Sequence, residues 1–304
     1  MPTAQALKAQ ISSVEDLQSV VKTMKALAAV SIRQYQRAVE SLSEYNRTVE
    51  MGLHIAMRRG YFSDEYTPQM LSGQSESGGI GRIGAIVFGS DQGLCGQFNE
   101  RVVSHGMQQL DEWEVKPENR AIAAVGARIV PLLSARKQAI ATSFSVPSSV
   151  NGITNMVQEI LLNIQQWRNE EQVARIVIFY NQSLSGSSYE PRTLQLLPLN
   201  PDWLKELVHK DWPNNVLPTF TMDWNRLFSA LIREYLFLSL YRAFAESLAS
   251  ENASRLSSMQ AAEKNIQERL GDLTSQYRRE RQSSITSELL EVASGFEALT
   301  QSEG

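Results

Sequence analysis

The sequence predicts an α/β domain inserted between two long terminal helices that form an antiparallel coiled coil. Two observations support this fold class. Near each end of the chain, apolar residues recur at alternating four- and three-residue steps without proline, which is typical of helices that pair in a coiled coil. Between these ends, short apolar runs alternate with amphipathic stretches, which indicates the strands and helices of a mostly parallel sheet.

The N-terminal stretch predicts one long helix over residues 1–60. Gln5–Met51 contains neither glycine nor proline, and an apolar stripe continues at coiled-coil spacing from Leu7 to Ala56. Two arginines and a glycine at 58–60 are the residue types favoured at a helix C-terminus. Residues 61–81 follow as a flexible loop, because they end in a run of serine and glycine.

Residues 82–200 predict an α/β domain. Its first helix follows a strand directly, and its second is interrupted by Pro131. Residues 201–222 then form a connector, in which three prolines argue against regular helix. The predicted strands are 82–88, 121–125, 175–180 and 193–199, and the predicted helices are 99–112, 128–137 and 151–168.

The C-terminal stretch, 223–304, predicts a second long helix with Asp223 as its N-cap. A strict seven-residue series keeps one stripe facing a partner helix. Past Leu273 the apolar stripe changes phase, which indicates that the partner ends nearby and that the last part of this helix overhangs alone. The seven-residue series consists of Leu231, Leu238, Ala245, Asn252, Met259, Ile266 and Leu273.

An antiparallel pairing of the two helices buries both stripes. If Ala56 lies level with Asp223, then Met24 and Lys25 lie level with Arg255. Like charges at that level are costly unless an acidic partner or solvent exposure relieves them.

Composition and motifs give little support for catalysis. Cys95 is the only cysteine and cannot form an internal disulfide, and the three histidines lack metal-ligand spacing. His54 is expected on a helix surface. The G-x-G-x-x-G pattern at 79–84 precedes a strand rather than following one, so it does not match a dinucleotide fingerprint. We therefore expect no cofactor, no metal, no catalytic residue and no nucleic-acid partner, in a soluble cytoplasmic protein without signal peptide or membrane span.

A turn follows the first predicted strand. Asp91, Gly93 and Gly96 lie in it, but the lysine and serine or threonine of a phosphate-binding P-loop are missing. These three residues are therefore interpreted as a structural strand-to-helix turn.

Four segments carry a resemblance to a known family, the gamma subunit of F-type ATP synthases, which is the central-stalk rotor. Ile11–Arg33 resembles the family segment that ends in Met-x-x-Val-Ala-Ala-Ser-Lys-x-Arg, and Asp91–Asn99 is similar to its D-R-G-L-C-G-G-L-N turn. Glu251–Asn265 and Arg281–Gly295 are similar to its two most specific C-terminal motifs. Gln92 and Gln97 depart from the family's arginine and glycine, as is typical of a divergent branch.

The resemblance implies a role and partners. In the family, the coiled coil lies inside a ring of three alpha and three beta subunits, while the α/β domain lies near the membrane c-ring and the epsilon subunit. The chain would then be a non-catalytic subunit of a proton- or sodium-translocating ATP synthase. It would be peripheral on the cytoplasmic side of the membrane, in the F1 sector, and its rotation would drive the beta subunits through different nucleotide affinities.

The resemblance also implies residue roles. Arg281, Gln282 and Thr286 match residues that hydrogen-bond a beta-subunit loop, and Met24 and Arg255 match the level of beta's acidic lever. Lys25 is included in that level as their neighbour. Four apolar residues of the overhang would form a bearing: Ile285, Leu289, Val292 and Phe296.

Two other functions stay open. One is a coiled-coil tether or scaffold that carries the α/β module to another helical partner. The other is a nucleotide-binding enzyme that uses the turn at Asp91.

Overall fold

The computed structural model describes residues 3–61, 81–184, 188–210, 212 and 218–302. The predicted loop at 61–81, apart from its first and last residues, lies outside the described residues. The elements, in order, are α1 (Ala4–Tyr61), β1 (Ile83–Phe88), α2 (Phe98–Glu112), a 3₁₀ turn (Pro117–Asn119), β2 (Arg120–Val125), α3 (Val130–Ala135), β3 (Ile140–Phe144), α4 (Val150–Glu170), β4 (Arg175–Ser183), β5 (Tyr189–Leu197), α5 (Pro201–His209) and α6 (Trp224–Ser302).

The predicted fold class is confirmed, since a mixed α/β sheet lies in sequence between two long helices. The strand order is β3-β2-β1-β4-β5, with β5 antiparallel to β4 and every other neighbouring pair parallel. The central strands β1 and β2 are buried at every position, which explains why β1 is apolar throughout and β2 is apolar after Arg120.

The sequence prediction missed β3. This strand lies at the edge of the sheet, and its residues alternate between half-buried and exposed positions. Its sequence, IATSF, is short and contains polar residues, so it lacks the continuous apolar run that revealed β1.

Two apolar clusters pack against opposite faces of the sheet. One contains Trp167 of α4 together with residues of β1, α1 and α6, and the other contains Leu110 of α2 and Ile129. Gly84 in β1 permits the first packing, because a Cβ at this position would lie 2.6 Å from the Trp167 ring.

The chain divides into two compact units, and α1 and α6 contribute to both. The larger unit spans residues 28–255, and the smaller contains the chain up to residue 27 and from residue 256. On α1, the predicted stripe starts at Leu7 and steps alternately by four and three residues to Ala56, and every position on it is buried or half-buried. That pattern confirms the stripe as the packed face of the helix.

Within the larger unit, α1 and α6 run antiparallel in the predicted register. Tyr45 donates a hydrogen bond to Glu234 at 2.7 Å, and the Trp224 indole N–H donates to the Ala56 carbonyl at 2.7 Å. Asp223 caps α6 as predicted, because its Oδ1 accepts from the Arg226 N–H at 3.1 Å.

The predicted connector contains a helix, so the expectation of no regular helix was wrong. Pro201 opens α5 at a position where helices tolerate proline, since the first N–H groups have no intrahelical partner. The Asn200 side chain caps α5 by accepting from the Asp202 and Trp203 N–H groups.

In the part of the chain that the structure describes, no helix combines the length and apolar character that a membrane span requires.

Candidate functional site

The turn after β1 is held by one carboxylate. Asp91 Oδ1 accepts from the Ala127 N–H and Oδ2 from the Val146 N–H, each at 2.7 Å. Asp91 therefore joins the segments that follow β2 and β3. Within the turn, Leu94 and Gly96 adopt positive φ values of 63° and 58°, the conformation that glycine adopts without steric cost.

A buried polar set closes the same turn from inside. The Ser90 N–H donates to Asn99 Oδ1, and Asn99 Nδ2 donates to Ser90 Oγ, each at 2.9 Å. Cys95 is buried beside them, and this burial raises the pKa of its thiol. A buried thiol that is held protonated suits packing rather than nucleophilic chemistry.

Helix α6 holds this turn through an ion pair that is buried within the larger unit. Arg255 Nη2 donates to Glu251 Oε1 at 2.6 Å, and the two residues are 7% and 6% exposed. The same Nη2 lies 3.3 Å from the Gln92 carbonyl and 3.4 Å from the Gly93 carbonyl. Arg255 thereby links α6 directly to the turn.

A neighbouring serine adds a second link. Ser254 Oγ donates to the Cys95 carbonyl at 2.6 Å. We call Gln92, Gly93, Cys95, Glu251, Ser254 and Arg255 the α6 joint.

The electrostatics of the α6 joint are dominated by burial. Burial raises the pKa of the Glu251 carboxyl, and the charge of Arg255 and their hydrogen bond partly oppose this shift. Glu251 Oε2 and Arg255 Nε find no hydrogen-bond partner among the described residues. The pair therefore depends on its one direct contact, on the two carbonyls of the turn and on Asn252 Oδ1, which accepts from Arg255 Nη1 at 3.3 Å.

Lys25 and Met24 lie in the smaller unit, where Lys25 pairs with an acid. Its Nζ lies 2.5 Å from Glu263 Oε2. The sequence predicted Lys25 level with Arg255 and required an acidic partner there. The acidic partner of Lys25 is Glu263, which lies roughly two helical turns past Arg255 in the sequence of α6. Met24 is half-buried.

A second apolar stripe on α1 lies beside the packed one, since each of its residues directly precedes a residue of the packed stripe. Leu17, Val20 and Leu27 are more than half exposed, and with Met24 they follow three- and four-residue steps along one face. We call these four residues the outer stripe. The outer stripe was not predicted from the sequence, although its three- and four-residue spacing is the same signal that predicted the packed stripe.

The tip of α6 is exposed on all sides, since every residue from 281 to 294 is exposed. Arg281, Gln282 and Thr286 lie here, and Thr286 Oγ1 donates to the Gln282 carbonyl at 2.9 Å within the helix. Ile285 and Leu289 also lie here.

The tip carries large apolar side chains without cover from the described residues. Ile285, Leu289 and Val292 are 47%, 66% and 72% exposed. Phe296 belongs to the last part of α6, and its side chain falls outside the described part of the chain. Exposed apolar side chains in such a row are typical of a binding surface.

The comparisons with known proteins agree with this architecture. The family model described as ATP synthase matches residues 3–299. This chain belongs to the ATP synthase gamma-subunit family. The family match covers both helices and the α/β domain, so it applies to the whole fold described above.

Three solved structures show the same fold as this family member. The Euglena gracilis mitochondrial ATP synthase rotor, in rotational state 1, has a TM-score of 0.61 at 15% identity, covering 93% of this chain and 98% of that one. The Euglena assembly of OSCP, F1 and c-ring, in rotational state 3, has a TM-score of 0.61 at 17% identity, and the match covers 99% of this chain and 96% of that one. The central stalk and c-ring of Tetrahymena thermophila mitochondrial ATP synthase has a TM-score of 0.52 at 17% identity, and the match covers 80% of this chain and 99% of that one.

The long helices and the exposed tip of α6 are both parts of this gamma-family fold. The chain is a central-stalk subunit of an ATP synthase, and the enzyme is the complex to which it belongs. Among the described residues, no group of histidine, cysteine and acidic side chains could hold a metal ion.

Proposed function

We propose that this chain is the non-catalytic rotor shaft that couples ion-driven rotation of a c-ring to the conformational cycle of catalytic beta subunits. The observation that carries the proposal is the tip of α6, whose residues 281–294 are all exposed although the row includes several large apolar side chains. Exposing such a row is unfavourable in water, so a surrounding partner would stabilise it.

The shaft acts as a ligand whose orientation selects the conformation of each beta subunit. A ligand shifts an equilibrium only by its differential contact energy with the two states. A charge-assisted hydrogen bond contributes about 1.5–3 kcal/mol, so several contacts are needed together. The outer stripe of α1 and the tip of α6 supply apolar and polar groups for such contacts.

The residue roles extend this proposal. Arg281, Gln282 and Thr286 would hydrogen-bond a beta-subunit loop, since the polar groups of all three are on the exposed tip. Met24 and Lys25 would face beta's acidic lever. These contacts are directional and would define preferred rotor positions.

Arg255 would act in a different way. Its guanidinium is buried and already bonded to Glu251 and to the turn. We propose that Arg255 positions the turn that meets the lever, with Asp91, Gly93 and Gly96 fixing the backbone of that turn.

The bearing would be formed by Ile285, Leu289, Val292 and Phe296. Apolar contacts are non-directional, so a helix tip of this composition can turn within an apolar sleeve without deep energy minima. The α/β domain would remain outside the ring of alpha and beta subunits, near the c-ring and the epsilon subunit, with the chain peripheral to the membrane.

Two variants test the role of the tip. Leu289 and Leu162 are each 66% exposed, but Leu289 lies on the tip and Leu162 on α4. Leu289→Ser should weaken binding to the alpha–beta ring at least tenfold, because burial of a leucine contributes about 1.5–3 kcal/mol. Leu162→Ser is the control and should leave binding unchanged. Equal affinities for the two variants, measured by titration of purified subunits, would contradict the proposal.

A pulldown of the tagged full chain from its own cells separates the rotor from a scaffold. We expect alpha, beta and epsilon subunits in the product, together with ATPase activity. A product that contains other helical proteins and lacks alpha and beta subunits would favour the tether. Turnover or nucleotide binding by the purified chain alone would favour the nucleotide-binding enzyme that uses the turn at Asp91.

A further inference from the structure

A small cavity lies between α1 and α5, within the larger unit. Its volume is about 100 Å³, and its wall includes Arg47, His54 and Lys210 together with the apolar side chains of Leu207 and Trp212. A water molecule takes about 30 Å³ of liquid, so the cavity has room for about three water molecules or for one small polyatomic ion.

His54 is the polar group that this cavity leaves unsatisfied. The sequence placed His54 on a helix surface, but the residue is only 3% exposed, so that expectation was wrong. Its Nε2 is buried and has no hydrogen-bond partner among the described residues. Trp212 covers the imidazole at an edge-to-face ring distance of 5.5 Å. A buried polar nitrogen without a partner is unfavourable, and a ligand in the cavity would supply the missing partner.

The charges around the cavity favour an anion. Arg47 and Lys210 line it, and Arg58 lies close enough on α1 that it and Lys210 lower the pKa of His54, after desolvation as the main cause. Among the described residues that line the cavity, Glu50 is the one acidic residue, and its Oε1 accepts from Asn46 Nδ2 at 2.8 Å. The cations of this described wall therefore outnumber its carboxylate.

We propose that this cavity binds a small oxyanion of the phosphate class, a site that goes beyond the rotor function. One oxygen of the anion accepts from His54 Nε2–H, and the remaining oxygens accept from Lys210 and Arg47. A protonated phosphate oxygen can donate to Glu50, which a halide cannot do. The apolar side chains of Leu207 and Trp212 limit the size of the ligand.

The test is a pH titration of the histidines of the full chain by NMR, with and without inorganic phosphate at constant ionic strength. Phosphate should raise the pKa of His54, because the bound anion opposes the effect of Arg58, Lys210 and burial. His105, which pairs with Thr193 Oγ1 at 2.9 Å, serves as an internal reference and should not respond. A His54 titration that is the same in phosphate and in chloride would overturn the proposal and leave the cavity to water alone.

Two variants support the measurement. Lys210→Gln changes an exposed side chain and should weaken phosphate binding about tenfold, the loss expected for one charge-assisted hydrogen bond. His54→Gln should abolish binding, and a His105→Gln variant should bind phosphate like the original chain. Undiminished binding by Lys210→Gln would refute the assigned ligands.

A final competition identifies the source of the oxyanion. Vesicles of phosphatidylcholine with phosphatidate, added to the phosphate-bound chain, should displace phosphate if a lipid headgroup is the ligand. Retention of phosphate would assign the site to the free anion. Either result requires that free phosphate binds first, so the experiment is independent of the rotor assays.

Discussion

Removal of the Arg255 guanidinium tests whether the α6 joint fixes the turn after β1. Arg255→Met keeps much of the side-chain length but leaves Glu251 without its cation at a site that is 6% exposed. Breaking a buried pair by removing one partner costs about 3–5 kcal/mol, since the remaining charge is buried and uncompensated. We expect a loss of about 3 kcal/mol, because Glu251 can take up a proton, as the raised pKa of its carboxyl indicates.

Cys95 reports this change locally. It is the only cysteine of the chain, it is 2% exposed, and its carbonyl accepts from Ser254 within the joint. A loss of about 3 kcal/mol in the free energy of local opening should speed labelling of the thiol by a disulfide reagent about a hundredfold. Urea unfolding followed by circular dichroism gives the global free energy for comparison.

Matched variants separate the joint from a general effect of losing a charge. Arg192→Met breaks an ion pair with Glu190 whose side chains are 55% and 46% exposed, and it should cost about 0–1 kcal/mol. Replacing both buried partners, as Arg255→Met with Glu251→Leu, should restore most of the lost stability. If the single Arg255→Met variant shows slow labelling of Cys95 and unchanged stability, the α6 joint does not fix the turn after β1.

Three further predictions concern other parts of the molecule. Burial raises the pKa of Glu251 in the folded chain, so protonation of this carboxyl stabilises the fold at low pH. That stabilisation is lost as pH rises above the ordinary glutamate range. Glu251→Gln should remove this pH dependence from the free energy of unfolding, measured in urea across pH. Met24→Lys should impair coupling by adding a cation at the predicted lever contact, and an unchanged ratio of pumped ions to hydrolysed ATP in reconstituted vesicles would exclude that role. Gly84→Ala should destabilise the chain by about 1–3 kcal/mol, because the added Cβ clashes with Trp167. Gly271→Ala is the control, since a Cβ at this position meets no described atom within 4 Å. It should be neutral or stabilising by up to about 1 kcal/mol in the same unfolding assay.

Long periodic patterns determined the two helices and their antiparallel pairing. The contact of Tyr45 with Glu234 follows the register that the sequence predicted. Such patterns are reliable because every turn of a long helix repeats the same signal, so single exceptions carry little weight. The buried strands β1 and β2 were predictable for a related reason, since burial on both faces requires continuous apolar residues.

Short elements and polar contacts were decided by the tertiary structure. The edge strand β3 forms because β2 offers it a hydrogen-bonding partner, and α5 forms because Asn200 and Pro201 happen to suit a helix start. His54 gave a misleading signal, because its burial depends on Trp212, a residue far away in sequence.

The sequence by itself determined the helix–domain–helix plan and the family, because periodicity and local motifs are properties of neighbouring residues. Only the tertiary structure decided that Arg255 is buried against the turn and that most of the outer stripe and the tip remain exposed. Burial and pairing of a side chain depend on residues distant in sequence, and a charge such as Arg255 has the same local signature whether it faces solvent or a buried carboxylate.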